Sequence, residues 1–158
     1  MECKDRVKGI HGVVADLIDV PKEYEIAIET ALGGSIQNVV TDSEQTAKLL
    51  IEHLKKNKYG RATFLPLTAI SGRGGLEQRQ ALQEVGVIGI ASELVHADKK
   101  YQDLIQYLLG RVLVVDHIDH AIAISRKYRQ SIRIVTPDGE LLSPGGSMSG
   151  GAFKNTSN

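Results

Sequence analysis

The residues best suited to form a binding surface lie near the end of the sequence, in residues 144–151 (PGGSMSGG). Four of these eight residues are glycine, so the backbone can approach another group closely or adopt a positive φ. A cradle of N–H groups around a phosphate is one interpretation, but neither GxxxxGK[ST] nor GxGxxG occurs here. A flexible tail is another. We favour a close-packed protein contact, because Met148 places an adaptable apolar side chain among the glycines.

A second candidate site is the densest positive run of the chain, which contains Lys55, Lys56, Lys58 and Arg61 with Tyr59 between them. Cations are favourable at the C-terminal end of a helix, so a solvated helix end is one interpretation. A patch that contacts phosphates, with Tyr59 stacking on an unpaired base, is the other. Weaker positive clusters are Lys99 with Lys100, and Arg126 with Lys127 and Arg129.

The sequence contains little that suggests catalysis or metal binding. His117 and His120 are three residues apart, but Asp116 and Asp119 are their only nearby candidate co-ligands, and we interpret Asp116 as a helix N-cap. Cys3 is the only cysteine. GxSxG and HExxH are absent, so we expect no catalytic residues, no bound metal and no cofactor.

The amino-acid composition and net charge exclude several classes of protein. The chain has 158 residues, 42% of them hydrophobic, which is enough for a packed core, and a formal net charge of zero. A generally basic coat for nucleic acid is therefore excluded, and any anion site must come from local clustering. No apolar run reaches the length of a membrane span, and no signal-peptide pattern opens the chain. We expect a soluble, cytoplasmic protein.

Hydrophobic periodicity and Gly/Pro punctuation predict alternating helices and strands. Strands are predicted at residues 9–20, 36–41, 61–67, 111–115 and 131–136, with a returning strand at 140–142. Helices are predicted from Pro21 to Gly33, from a capping box formed by Thr41 and Glu44 to Lys58, from Tyr101 to Gly110, and over residues 118–125.

The two halves of the chain follow the same order of elements. Matching landmarks are Gly33 with Gly110, Asp42 with Asp116, and Pro66 with Pro137, at offsets of 77, 74 and 71 residues. We therefore predict an internal duplication. The expected fold is mixed α/β, with lobe one at about 9–70, a connector at about 71–86 and lobe two at about 87–151, each lobe a mixed sheet flanked by helices.

Four segments together resemble the hinge domain of bacterial structural maintenance of chromosomes (SMC) proteins. They are GIHGVVADLIDVP, ALGGSIQNVVTD, GRATFLPL and LLSPGGSMSGG, which occur in the family's order and extend over residues 9–151. Residues 1–8 and 152–158 are too short for a coiled coil. We therefore expect an excised hinge with a residual coiled-coil root or tag at one end and a flexible tail at the other.

The resemblance implies a homodimerisation hinge that joins two long coiled-coil arms of a chromosome condensation and segregation ATPase associated with the nucleoid. The ATPase heads and the contacts with other condensin-like subunits would lie outside this chain. The expected dimer-interface residues are Gly145, Gly146, Gly150 and Gly151, with Met148 among them.

The resemblance also implies weak, sequence-independent DNA binding, either single-stranded or non-specific, for which we select Lys55, Lys56, Lys58 and Arg61. An alternative is an enzyme domain that binds a phosphorylated small molecule at its Gly-rich loops.

Overall fold

A computed structural model describes residues 8–72 and 74–152. Most of the predicted coiled-coil root (residues 1–8) and of the predicted tail (residues 152–158) lies outside these ranges. The helices are α1 (Val14–Leu17), α2 (Glu25–Leu32), α3 (Glu44–Asn57), α4 (Gln102–Leu109) and α5 (Ile118–Lys127). The strands are β1 (Ile10–Val13), β2 (Val39–Thr41), β3 (Phe64–Pro66), β4 (Val87–Ile90), β5 (Val112–Val115), β6 (Arg133–Val135), β7 (Leu141–Leu142) and β8 (Met148–Ser149).

The strands form two mixed sheets with related topology. In lobe one, β2 lies between an antiparallel β1 and a parallel β3. In lobe two, β5 lies between an antiparallel β4 and a parallel β6, and β7 and β8 extend the sheet beyond β6. The predicted mixed α/β fold with two similar lobes is confirmed.

The duplication extends to details of the backbone. Gly12 in β1 and Gly89 in β4 lie 77 residues apart, and each occupies an irregularity in its strand's register. The amide of Asp42 donates to the carbonyl of Gly9, and the amide of Asp116 donates to the carbonyl of Gly86. The lobes therefore repeat one structural unit.

The two lobes share one hydrophobic core. Val14, Ile28 and Val40 from lobe one belong to the same buried cluster as Leu104 and Val114 from lobe two. The alternate residues of β5 face a second cluster beneath α5, so β5 is buried on both faces.

Two polar contacts also join the lobes. The backbones of Asp19 and His96 exchange hydrogen bonds of 2.7 and 2.8 Å, and these two residues are themselves equivalents at an offset of 77. His11 Nδ1 lies 2.8 Å from the hydroxyl of Tyr101. The lobes therefore meet around an approximate internal twofold axis.

Several local predictions were wrong. The strand predicted over residues 9–20 ends at Val13 and is followed by α1 from Val14. Ile36 and Gln37, predicted as the start of the strand over residues 36–41, belong instead to the 3₁₀ turn Gly33–Gln37. The N-cap of α3 is Ser43, whose hydroxyl accepts from the Thr46 amide, rather than Thr41. The N-cap of α5 is His117 rather than Asp116.

The paired glycines at the strand starts lead to a prediction about stability. Gly86 has a φ of +94°, and a Cβ there would lie 2.5 Å from His120 Nδ1 and 2.6 Å from Asp116 Oδ1. Gly86→Ala should therefore lower the free energy of unfolding by about 2 kcal/mol. Gly34 has no heavy atom within 4 Å of such a Cβ and no positive φ, so Gly34→Ala should change it by less than about 0.5 kcal/mol. Urea unfolding of the two variants tests this, and equal effects would contradict it.

A charged contact joins the segment between the lobes to α5. Glu84 Oε2 accepts from Lys127 Nζ at 2.7 Å and from the Tyr128 hydroxyl at 3.1 Å, and the Glu84 side chain is 22% exposed. The hydrogen bond from Lys127 is the main cause that lowers the pKa of Glu84 below its ordinary value of 4.5.

This lowered pKa gives the contact a predictable pH dependence. A depressed folded-state pKa contributes stability above pH 4.5, and that stability is lost as pH falls through the folded-state pKa. Glu84→Gln should therefore destabilise the protein at pH 7 and have a smaller effect at pH 3. The control is Glu93→Gln, which changes an exposed carboxylate of lobe two. Urea midpoints at both pH values measure the difference, and a Glu84→Gln effect that does not shrink in acid would contradict the assignment.

Candidate functional site

The Gly-rich segment forms the last hairpin of lobe two. Residues 143–147 connect β7 to β8, and this loop is closed by a hydrogen bond from the Ser143 amide to the Ser147 carbonyl at 2.9 Å. Gly145 and Gly146 have φ values of +98° and +110°. The turn itself therefore requires glycine at both positions, whether or not another chain approaches them.

The other predicted interface residues lie on and after β8. Met148 is 52% exposed and lies opposite Leu142 in the register of the hairpin. A Cβ on Gly150 would lie 3.1 Å from Glu140 Cγ, so this glycine already packs against its own chain. Gly151 has a φ of +138° and open space around it. Residues 150–152, which follow β8, are not helical, so within the described residues these glycines form no phosphate site at a helix N-terminus.

The described strands leave four sheet edges, at β1 and β3 in the first sheet and at β4 and β8 in the second. β1 and β4 are equivalent edges, whereas β3 and β8 differ between the lobes. β8 is the last strand of the second sheet, and β3 is an edge strand of the first sheet. β6, the equivalent of β3 in lobe two, has its outer edge covered by β7. The open edge of β3 was not identified from the sequence. The sequence feature that could have revealed it is the lack, after Leu67, of a segment equivalent to β7 and β8.

A groove beside β3 adds an apolar surface to this open edge. It has a volume of about 390 Å³ and lies between α3 and β3, where Ala47, Ile51 and Phe64 provide apolar walls. Lys48 and Lys55 also line it. The edge and the groove together can accept a strand that carries an apolar side chain.

The structure spreads the predicted DNA-binding residues around the end of α3. Lys55 and Lys56 are successive helical residues and project about 100° apart, so Lys55 faces the groove while Lys56 projects elsewhere. Lys58 is the left-handed C-cap, and Arg61 follows in the loop before β3. All four side chains are exposed, and none makes an ion pair within the described part of the chain.

Tyr59 lies within this positive group. It is 65% exposed, and its ring contacts the ring of His53 with centroids 5.7 Å apart. The aromatic ring is therefore held by the helix end yet open to solvent. Lys99 and Lys100 lie in lobe two, where Lys100 Nζ is 5.3 Å from the centroid of the Tyr101 ring.

The histidine pair is engaged by neighbouring protein groups. His120 Nδ1 lies 2.7 Å from Asp116 Oδ1, and His117 Nδ1 accepts from the Asp119 amide at 3.1 Å. In residues 8–72 and 74–152, no group of three or more His, Cys, Asp or Glu side chains is arranged to hold a metal ion. The helices of the same ranges include none with the length and apolar character of a membrane span.

Comparison with known proteins identifies relatives along the whole chain. Residues 7–125 match the family model described as SMC proteins Flexible Hinge Domain. The Chromosome partition protein Smc of Bacillus subtilis is 45% identical over 161 residues, and that of Lactiplantibacillus plantarum is 42% identical over 160 residues. Each alignment covers 100% of this chain but only 14% of the relative.

Solved structures agree with these matches. The asymmetric dimer of the Geobacillus stearothermophilus SMC hinge domain has a TM-score of 0.90 and 46% identity, covering 98% of this chain and 64% of that one. The Pyrococcus furiosus SMC hinge domain has a TM-score of 0.79 and 31% identity, covering 99% of this chain and 84% of that one.

Proposed function

This chain belongs to the SMC flexible hinge domain family, and on that premise we propose that it is a dimerisation hinge of a chromosome partition protein. The observation that carries the proposal is the pair of edge strands at which the lobes differ, β3 in lobe one and β8 in lobe two. The chain spans about 14% of the curated relatives. Its proposed role is therefore to join two coiled-coil arms, while ATP hydrolysis and contacts with other subunits belong to the rest of a longer protein.

We propose that β8 of one copy pairs with β3 of the other. An unpaired strand edge presents backbone N–H and C=O groups that another strand can satisfy. Each copy offers one edge of each kind, so a twofold axis forms two identical β8–β3 contacts and closes the dimer. Lobe one would thereby obtain from a second copy the covering strand that lobe two obtains from its own hairpin.

Side chains near the two edges support this pairing. Met148 is large, apolar and exposed on β8, and the groove beside β3 has apolar walls of matching character. Burying a methionine side chain contributes about 1.5–3 kcal/mol. Met148 of each copy would therefore anchor the strand pairing against the groove of the other.

The first test of this dimer is Met148→Ser. The substitution removes the apolar anchor and adds no charge that Lys48 or Lys55 of the groove could pair with. We therefore expect the dimer dissociation constant in sedimentation equilibrium to rise at least tenfold, with a circular dichroism spectrum like that of the wild type. Met148 is a better position than Gly146, where any side chain strains the turn. The matched control is Val85→Ser, because Val85 is 75% exposed and precedes β4 at the opposite edge of the second sheet. An unchanged dissociation constant in the Met148→Ser protein would refute the assignment of this segment to the interface.

We further propose that the end of α3 contacts DNA weakly and without sequence preference. Support comes from Lys56, Lys58 and Arg61, which are exposed and unpaired within the described residues, beside the exposed ring of Tyr59. Such cations attract the phosphates of DNA, and the ring can stack on an unpaired base. Two copies in a dimer would raise the effective concentration of these weak sites along one strand.

The DNA proposal is tested by Lys56→Glu combined with Lys58→Glu. Lys55 is left unchanged because it lines the groove beside β3, where a substitution would confuse DNA binding with dimerisation. We expect the double variant to remain a dimer and to lose most binding of a single-stranded oligonucleotide in fluorescence anisotropy at low salt. Wild-type log K should fall by about 0.7–0.9 per phosphate contact for each decade of salt.

The control for this test is Lys99→Glu combined with Lys100→Glu, which makes the same charge change in lobe two. Full binding by the Lys56/Lys58 variant would mean that these lysines form only a solvated helix end. Loss of binding in the Lys99/Lys100 variant alone would move the DNA site to lobe two.

A further inference from the structure

A cavity of about 500 Å³ lies where the two lobes and the last hairpin meet. Its lining residues come from α2, the segment between the lobes, α4, β5, β6 and the loop before β8. They are Ala31, Ser71, Gln106, Tyr107, Leu108, Arg111, Val112, Ser131, Arg133 and Pro144. This volume is in the range of small-molecule sites.

Two arginines give the cavity its charge. Arg111 directly precedes β5, and Arg133 is the first residue of the neighbouring parallel strand β6, in register with Val112. Both residues line the one cavity, although they are 22 residues apart in the sequence. None of the described lining residues is Asp or Glu.

Neither guanidinium group is neutralised by a described carboxylate. The ion pairs in the described ranges involve only His117, His120 and Lys127 as the cationic partners. Arg133 is half-buried, and its Nη1 makes one long hydrogen bond of 3.4 Å to Ser143 Oγ. Two like charges at one cavity repel each other, and an anion between them would remove that repulsion.

The chemistry of this pair selects the kind of anion. Guanidinium groups are planar, stay charged at all relevant pH values and present paired donors that match phosphoryl oxygens. Ala31, Leu108 and the Tyr107 ring provide an apolar wall beside them, which suits the organic part of a ligand. We propose that this cavity binds a phosphorylated small molecule of mononucleotide size, with Arg111 and Arg133 holding its phosphate group.

This site goes beyond the proposed hinge function and is separate from the end of α3. Its position next to Pro144, and the bond from Arg133 to Ser143, place the ligand beside the hairpin that carries β8. A ligand bound in this cavity would therefore contact the hairpin that we assign to dimerisation.

The experiment is isothermal titration calorimetry of the wild-type chain at low salt with inorganic phosphate, AMP, adenosine and a ten-residue oligothymidylate. We expect saturable binding of phosphate and tighter binding of AMP, with adenosine at least tenfold weaker because it lacks the phosphate. Arg111→Gln combined with Arg133→Gln should weaken AMP binding at least tenfold. The control pair Arg126→Gln and Arg129→Gln removes the same charge from residues outside the cavity and should change AMP binding less than twofold.

Each contrary result would overturn the proposal. These results are an absence of saturable phosphate and AMP binding by the wild type, equal affinity for adenosine, or unchanged AMP binding in the double variant. Binding of the oligonucleotide alone, lost in the double variant, would make the cavity a nucleic-acid contact instead.

Two additions keep the test decisive. If the double variant does not fold, Arg111→Gln alone is used, because Arg111 is exposed and has no described ion-pair partner, and AMP binding should still weaken at least fivefold. Sedimentation of the same samples reports the dimer independently, so failure of this site and failure of the hinge proposal give different results.

Discussion

The shared hydrophobic core is the constraint on which the rest of this structure depends. The strands of lobe one have only four, three and three residues, and a lobe of about 60 residues buries too little surface to be more than marginally stable by itself. Val14, Ile28 and Val40 are nevertheless fully or almost fully buried, because α4, β5 and the end of β6 complete their surroundings. The approximate twofold relation between the lobes, marked by the Asp19–His96 backbone pair, follows from this joint burial. It also determines where the open edges, the groove and the cavity lie relative to one another.

The proposed dimerisation strands lie where the duplication is broken. In each lobe a central strand has one antiparallel and one parallel neighbour. If the lobes were fully symmetric, the outer edges of β3 and β6 would be alike. Instead, β7 and β8 continue the second sheet, so one lobe ends in a projecting hairpin and the other in an uncovered β3. An edge of each kind on one chain is what two copies need to close a dimer without a free edge of either kind. Loss of symmetry within the chain thus permits symmetry between chains.

The sequence predicted the longer elements well, and its failures have local physical causes. The helical stripes of α2, α4 and α5 follow from apolar spacing, since their apolar faces meet the core. The apolar run after Gly12 predicts one long strand, because a short apolar run without periodicity does not distinguish a strand from a helix such as α1. β4 was not predicted, although Gly86 and Gly89 repeat the spacing of Gly9 and Gly12 at an offset of 77. Comparison of the two halves would have revealed β4. In each half the glycine pair belongs to an irregular strand, and its first glycine lies against an aspartate.

The places where positive side chains gather in space were the hardest feature to predict. In one basic region, neighbours in the sequence point apart, and in the other, residues far apart in the sequence line the same cavity. Lys55 and Lys56 are adjacent in sequence, yet the helix directs them about 100° apart, and one faces an apolar groove. Arg111 and Arg133 belong to different elements and stand out in no charge run, yet parallel pairing of β5 with β6 brings both to one cavity. The arginine pair therefore depends on strand register rather than on clustering in the sequence, and strand register is set by which residues the shared core buries. The packing that makes the two lobes one unit thus also creates the cavity that Arg111 and Arg133 line without a described ion-pair partner.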